Sequence, residues 1–172
     1  MNSDCLYVVL LLGSNYRRSS NLKKSLNLIE KKYTILKKSR LYKSDDTTQK
    51  SKFYWNMALL LKMKKNDHLK HELVNIEKEC GRSWNSMKKI IALDIDIALI
   101  YSIQSSSLEC KVLTNNIDGS LHSLLSLKDI LPGQPNIRNF LTDTREIGSQ
   151  IRRRQINSVS IVQLSSFHHH AP

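Results

Sequence analysis

Two aspartates, Asp94 and Asp96, interrupt an otherwise apolar run over residues 90–100. In an extended strand side chains alternate sides, so residues i and i+2 share one face, about 7 Å apart. Leu93, Ile95, Ile97 and Leu99 then face one way and the two carboxylates the other. Half-buried neighbouring carboxylates repel each other and lose hydration. A cation held between them explains such a pair. Rigid oxygen ligands suit Mg²⁺, which takes one or two carboxylates and leaves its other positions to water and phosphate. The alternative is an edge strand with one solvated face, where Asp is tolerated despite its poor β propensity.

The elements that must position this pair follow from periodicity. Residues 6–12 are an unbroken apolar run closed by Gly13-Ser14-Asn15, the pattern of a buried strand and a turn. Over residues 21–33, Leu22, Leu26 and Ile29 recur at helical spacing with lysines opposite. Ser19, Ser20 or Asn21 is available as N-cap. A weaker strand is expected over 34–42, an exposed loop over 43–52 and a third strand over 53–63. Leu69, Leu73, Ile76 and Cys80 predict a second helix over 67–80, with Gly81 where a C′ glycine belongs. A short basic loop leads into the aspartate strand.

This β-α-β-β-α-β order predicts an α+β fold, a ferredoxin-like antiparallel sheet with both helices on one face. The other face would stay free for a ligand, with Asp94 and Asp96 pointing to it. A further strand over 108–112 and a helix over 121–131, stopped by Pro132-Gly133, complete a domain spanning 1–132. Residues 133–172 are expected to be a loosely ordered basic extension. Its Arg152-Arg153-Arg154 reads as a solvated basic segment, and His168-His169-His170 lacks partner ligands nearby in sequence.

The 172 residues carry a formal charge of +12, which points to a partner with phosphates: nucleotide, nucleic acid or anionic membrane surface. Solvated lysines account for the same number without any partner. Cys5, Cys80 and Cys110 are widely spaced and odd in count, against a disulfide framework or zinc site and for a reducing compartment. The apolar run near the start is too short to span a membrane and lacks signal-peptide flanks, so a cytoplasmic protein is expected.

Four pieces of the chain resemble the 6-hydroxymethyl-7,8-dihydropterin pyrophosphokinase family. They are Leu12-Gly13-Ser14-Asn15 with Asn21-Leu22, then Phe53-Tyr54-Trp55-Asn56, then Ile76-Glu77 with Gly81-Arg82, and Leu93-Asp94-Ile95-Asp96-Ile97, similar to the family's Leu-Asp-Leu-Asp-Ile metal motif. Their order and spacing agree over residues 6–132. The resemblance implies transfer of pyrophosphate from ATP to the pterin hydroxymethyl group, releasing AMP, in tetrahydrofolate synthesis. It implies that Asp94 and Asp96 hold Mg²⁺ against the ATP phosphates. Phosphoryl-type transfer needs such charge neutralisation and positioning more than covalent help from the protein.

By the same resemblance Asn56 hydrogen-bonds the pterin, Tyr54 stacks on it, and Ser44 opens the pterin-contacting loop. Arg82 reaches the ATP phosphates and Ile97 lies on the nucleotide side. Read from the residues alone, Tyr54 is equally a strand-edge aromatic, and Arg82 equally a cation at a helix C-terminus. The chain departs from the family pattern at Ile91, Trp84, Leu113-Thr114 and Ser120, where basic residues or Pro-His are usual, and at His122, where a phenylalanine stacks. Lys88 and Lys89 could restore charge, as point charges without arginine's fork. Each lost charged contact to phosphate is worth about 1.5–3 kcal/mol. A monomer acting on small molecules is expected, with no membrane or nucleic-acid partner. Two other readings remain: a decayed homologue that binds pterin or nucleotide without turnover, and a ferredoxin-like nucleic-acid-binding module. The latter needs aromatic residues on the open face, where two carboxylates would repel phosphate.

Overall fold

Residues 6–12 read as one apolar run because the strand they form is covered on both faces. In the computed structural model, which describes residues 5–45, 53–65, 68–83, 90–103, 110–116, 120–131 and 159–161, they lie in β1 (Cys5–Ser14). Val8, Leu10 and Leu12 join one core with Leu22, Leu26 and Ile29 of α1 (Arg18–Glu30) and Leu69, Leu73 and Ile76 of α2 (Leu69–Glu79). Val9 turns the other way, into a second core with Leu127, Ile130 and Leu131 at α3 (Leu121–Ile130). Each fully buried leucine or isoleucine contributes about 1.5–3 kcal/mol.

The remaining strands are β2 (Thr34–Lys38), β3 (Tyr42–Asp45), β4 (Phe53–Lys64), β5 (Asp94–Ile103), β6 (Cys110–Asn115) and β7 (Val159–Ile161). They form one antiparallel sheet in the order β6-β5-β1-β4-β3-β7, with β2 also pairing β4. The α+β class and the antiparallel sheet are as expected. Among the described residues no helix is long and apolar enough to cross a membrane.

Six expectations need correction. Gly13 and Ser14, expected in a turn, are still paired in β1, because the strand runs on to meet β4 and β5. Leu99, expected to face with Leu93, Ile95 and Ile97, lies in the second core, because a bulge opposite Val9 and Leu10 shifts the alternation. The strand expected over 34–42 is two strands, separated where Ser39 binds Ala58 through its amide (2.9 Å) and its hydroxyl (2.8 Å). Lys43 and Ser44, expected in a loop, are in β3. Helix α1 starts at Arg18, three residues early, and its N-cap residue is Arg17 in the left-handed region (φ 42°). None of Ser19, Ser20 and Asn21 caps it; Asn21 lies inside the helix, and its side-chain amide serves another element described below. Finally, the sheet face opposite α1 and α2 is not left open throughout. Helix α3 covers part of it, because Leu127 and Ile130 pack on Val9, Ala58 and Leu60.

One carboxylate ties α3 to the sheet. Asp129 accepts from the Arg40 backbone N–H (2.9 Å), Arg40 Nη2 (2.7 Å) and the Tyr42 hydroxyl (2.8 Å). Partial burial pushes this carboxyl up, but the bonds from Arg40 and Tyr42 outweigh it and hold the group below the ordinary aspartate value. Burial, with Asp129 beside it, pushes the Tyr42 hydroxyl up to about 12. A depressed carboxyl contributes stability in full above its unfolded value of 3.8 and loses it as the pH falls through the lower folded value. Asp129→Asn is therefore expected to lower the melting temperature at pH 7, with the gap to the wild type closing as the pH falls through the folded value. A gap that persists unchanged in acid would exclude a charge-based contribution.

Candidate functional site

The strand register aligns the site. Asp94 pairs with Gly13, Gly13 with Asn56, and Asn56 with Tyr42, a single row across β5, β1, β4 and β3. Two residues along, Asp96 pairs with Leu11 and Leu11 with Ala58. Asp94, Asp96 and Asn56 thus share the sheet face that α3 covers only in part. With strands about 4.8 Å apart, Asn56 and the Asp94 backbone are separated by about 10 Å. Tyr54 and Ser44, directly paired, lie on the same face. His122 lies in the first turn of α3 over this face, its Nε2 3.3 Å from Ser120 Oγ.

On the β4 side, Asn56 Nδ2 donates to Ser44 Oγ at 2.8 Å. Gly13 is small here for a reason. A Cβ would stand 3.3 Å from Asn56 Oδ1 and 3.9 Å from Tyr54 Cδ1. Gly13→Ala is expected to push the Asn56 amide aside and weaken a ligand bound to it about tenfold, the value of one hydrogen bond, while the melting temperature changes little. Calorimetry with the wild type and the variant reads this directly.

The aspartate strand is held at its entrance by the end of β1 and the segment that follows it. Ser14 Oγ donates to Ala92 O (2.6 Å), as does Asn21 Nδ2 (2.9 Å). Asn15 Oδ1 accepts from Ile91 N–H (2.7 Å), and Asn15 N–H donates to Ile91 O (3.0 Å). Ser14 at the end of β1, Asn15 after it and Asn21 of α1 therefore fix residues 91–92, just before Asp94. Ile91, where the resembling family has an arginine, takes part through its backbone.

Arg82 arrives through the end of α2. Gly81 adopts φ +89°, its N–H donates to Lys78 O (2.9 Å), and the Arg82 N–H donates to Glu77 O (3.0 Å). This paired closure is the Schellman motif, and it needs a residue without Cβ strain at Gly81. It turns the chain so that Arg82 Nη1 donates to Glu77 Oε1 (2.6 Å), to Leu93 O (3.4 Å) and, in a short contact, to Asp94 Oδ1. Glu77 is 3% exposed and also accepts the Ile95 N–H at 2.7 Å. Burial pushes its carboxyl up; the Ile95 N–H and Arg82 oppose this, and Asp94 adds to it. Glu77 was given no role from sequence. The signal was there: it lies four residues after Leu73, on the apolar face of the helix, where a carboxylate needs a partner.

A cavity of about 620 Å³ opens beside the aspartates, lined among others by Lys70, Val74, Arg82, Asp96, Ile97 and Asn116. It exists because β6 pairs with β5 only from Leu99 onward, beyond residues 94–98. Asn116 closes its end, donating its N–H to Ala98 O at 2.8 Å. Ile97 belongs to the core on the α2 side, so it meets the cavity from the face opposite Asp96. Lys88, Lys89 and Trp84 lie outside the described residues.

Among the described residues there is no cluster of three or more His, Cys, Asp or Glu that could hold a metal. That donor set is poor for zinc, which takes three or four protein ligands. Two carboxylates projecting from alternate positions of a rigid strand fit Mg²⁺, whose remaining ligands come from water and phosphate.

A family model described as 7,8-dihydro-6-hydroxymethylpterin-pyrophosphokinase matches residues 9–132, well over half of the chain. No curated protein matches it.

Proposed function

From the premise that the chain belongs to the 7,8-dihydro-6-hydroxymethylpterin-pyrophosphokinase family, we propose that it transfers pyrophosphate from ATP to 6-hydroxymethyl-7,8-dihydropterin. The pterin hydroxyl oxygen bonds to Pβ, the bond from Pβ to the bridging oxygen of the α-phosphate breaks, the hydroxyl proton is lost, and AMP leaves. The observation that carries this reading is the row Asp94–Gly13–Asn56. It puts a hydrogen-bonding amide for a flat heterocycle about 10 Å from a carboxylate pair suited to polyphosphate. A heterocycle with a one-carbon arm and a phosphate fit between them.

Ser44 and Asn56 present polar atoms to the pterin edge, Tyr54 offers a ring face, and His122 covers from α3. The cavity beside β5 takes the nucleotide: Val74, Ile97 and Ile100 contact the base, and Lys70 adds a positive charge. Mg²⁺ held by Asp94 and Asp96 would neutralise phosphate charge as the bridging bond breaks. Arg82 keeps the neighbouring carboxylates from repelling one another and fixes the Asp94 rotamer. Strands β5-β1-β4-β3 with α1 and α2 are read as a ferredoxin-like core within residues 1–132, and the protein as a cytoplasmic monomer. Purified protein with ATP, Mg²⁺ and the pterin should release AMP and pterin diphosphate in equal amounts; no AMP above a pterin-free control rejects the proposal.

A second reading, binding without turnover, is favoured by one observation. The Arg82 guanidinium is drawn to Glu77 and Asp94, and Ile91 stands where the family has a further arginine. Calorimetry with the pterin and an unreactive ATP analogue separates the two: tight binding of both with no AMP release supports decay.

A further inference from the structure

Strand β7 lies outside the family-matched residues 9–132, yet it extends the row that forms the site. Ile161 pairs with Tyr42, Ser160 with Lys43 and Val159 with Ser44. The row therefore runs Ile161–Tyr42–Asn56–Gly13–Asp94 across five strands. The neighbouring row runs Val159–Ser44–Tyr54. Without β7, the four residues of β3 would be bonded to the sheet on the β4 side only. Short edge strands open readily, because few backbone bonds must break together. Ser44 Oγ accepts the Asn56 Nδ2 hydrogen bond, so any loosening of β3 reaches the amide expected to hold the pterin.

We propose that the Val159–Ile161 strand is a positioning element for the pterin half of the site, holding Ser44 against Asn56 by pairing with β3. This rests on the proposed pyrophosphokinase reading and goes beyond it, since it assigns part of the substrate site to a segment outside the family core. The effect is one-sided. The nucleotide cavity lies at β5, three strands and about 14 Å from β3. Pterin affinity depends on β7, and nucleotide affinity does not.

The test uses the full-length chain with Ser160→Pro and Ile161→Pro together. Adjacent residues of a strand turn their N–H groups to opposite sides, so one of the two prolines removes a donor to β3. A second variant ends the chain after Ser158. Hydrogen exchange at residues 42–44, pterin affinity and affinity for an unreactive ATP analogue are measured against the wild type. The expected result for both variants is exchange at residues 42–44 at least tenfold faster, pterin affinity about tenfold weaker, and analogue affinity unchanged. Unchanged exchange overturns the proposal, and so does faster exchange with unchanged pterin affinity. Equal weakening of both ligands with a lowered melting temperature shows a general structural role and also overturns it. A wild type that binds the analogue but no pterin rejects the functional reading itself, and this inference with it. A wild type that binds pterin, beside variants that bind it equally well, rejects this inference alone.

Discussion

Asp96→Asn should reduce AMP release at least about a thousandfold and leave the fold intact. Asp96 is solvent-exposed on β5, beside Asp94 on the same face. On the proposed function, replacing it with the isosteric amide removes a hard anionic ligand for the Mg²⁺ that would meet the phosphates, without changing shape. Losing one preorganised charge interaction in the transition state costs about 4 kcal/mol, three orders of magnitude in rate. Like-charge repulsion with Asp94 is also relieved, so the melting temperature should fall less than in Asp94→Asn. Asp94→Asn should abolish turnover similarly but also destabilise the protein, because Asp94 shares Arg82 with Glu77. This contrast discriminates. If the pair were only a solvated strand face, neither variant would change turnover. Equal turnover in the wild type and both variants would falsify the carboxylate assignment.

Glu77→Ala should cost about 3 kcal/mol of stability and lower turnover about a hundredfold, although Glu77 is buried away from the open face. Its carboxylate takes the Ile95 N–H and the Arg82 guanidinium. Removing one partner from a buried ion pair leaves the other charge uncompensated, which costs about 3–5 kcal/mol. For a chain of this length that is a melting-temperature drop of about 6–12 °C. The activity loss has a separate cause. With Glu77 gone, the whole Arg82 charge falls on Asp94, so the carboxylate pair binds a cation more weakly. Raising Mg²⁺ should therefore recover part of the activity of Glu77→Ala and none of its stability. Recovery of neither, with Mg²⁺ dependence identical to the wild type, would assign Glu77 a purely structural role.

Much of the local structure could be read from single residues. The alternation around Asp94 and Asp96 predicted a strand with both carboxylates on one side, and the paired register agrees as far as Ile97; a bulge then turns Leu99, expected beside Ile95 and Ile97, into the opposite core with Val9 and Leu127. Gly81 predicted the helix stop, and it adopts the left-handed turn that stop requires. The Gly13-Ser14-Asn15 sequence was legible as the end of a strand, but Gly13 and Ser14 stay paired in β1 and the bend begins only at Asn15, and its role as a clamp was not legible. Its partners, Ile91 and Ala92, are more than seventy residues away in sequence, and no local preference encodes that contact. Asn21 misled for a related reason. Its type favours a helix N-cap, but a buried carbonyl of Ala92 claimed its amide, and a tertiary hydrogen bond outweighed the local preference.

Local chemistry determined which side chains this protein can bring to bear: an acidic pair on a strand, a Tyr-x-Asn at the start of another, an arginine after a glycine stop. Periodicity and turn residues depend on a few neighbours, so they are visible in one dimension. Tertiary structure alone decided that Asp94, Gly13 and Asn56 form one row, that Arg82 is divided between Glu77 and Asp94, and that β7 extends the row at its far end. Cross-strand pairing and buried charge depend on residues distant in the chain, and their energies arise only when the sheet closes and water leaves.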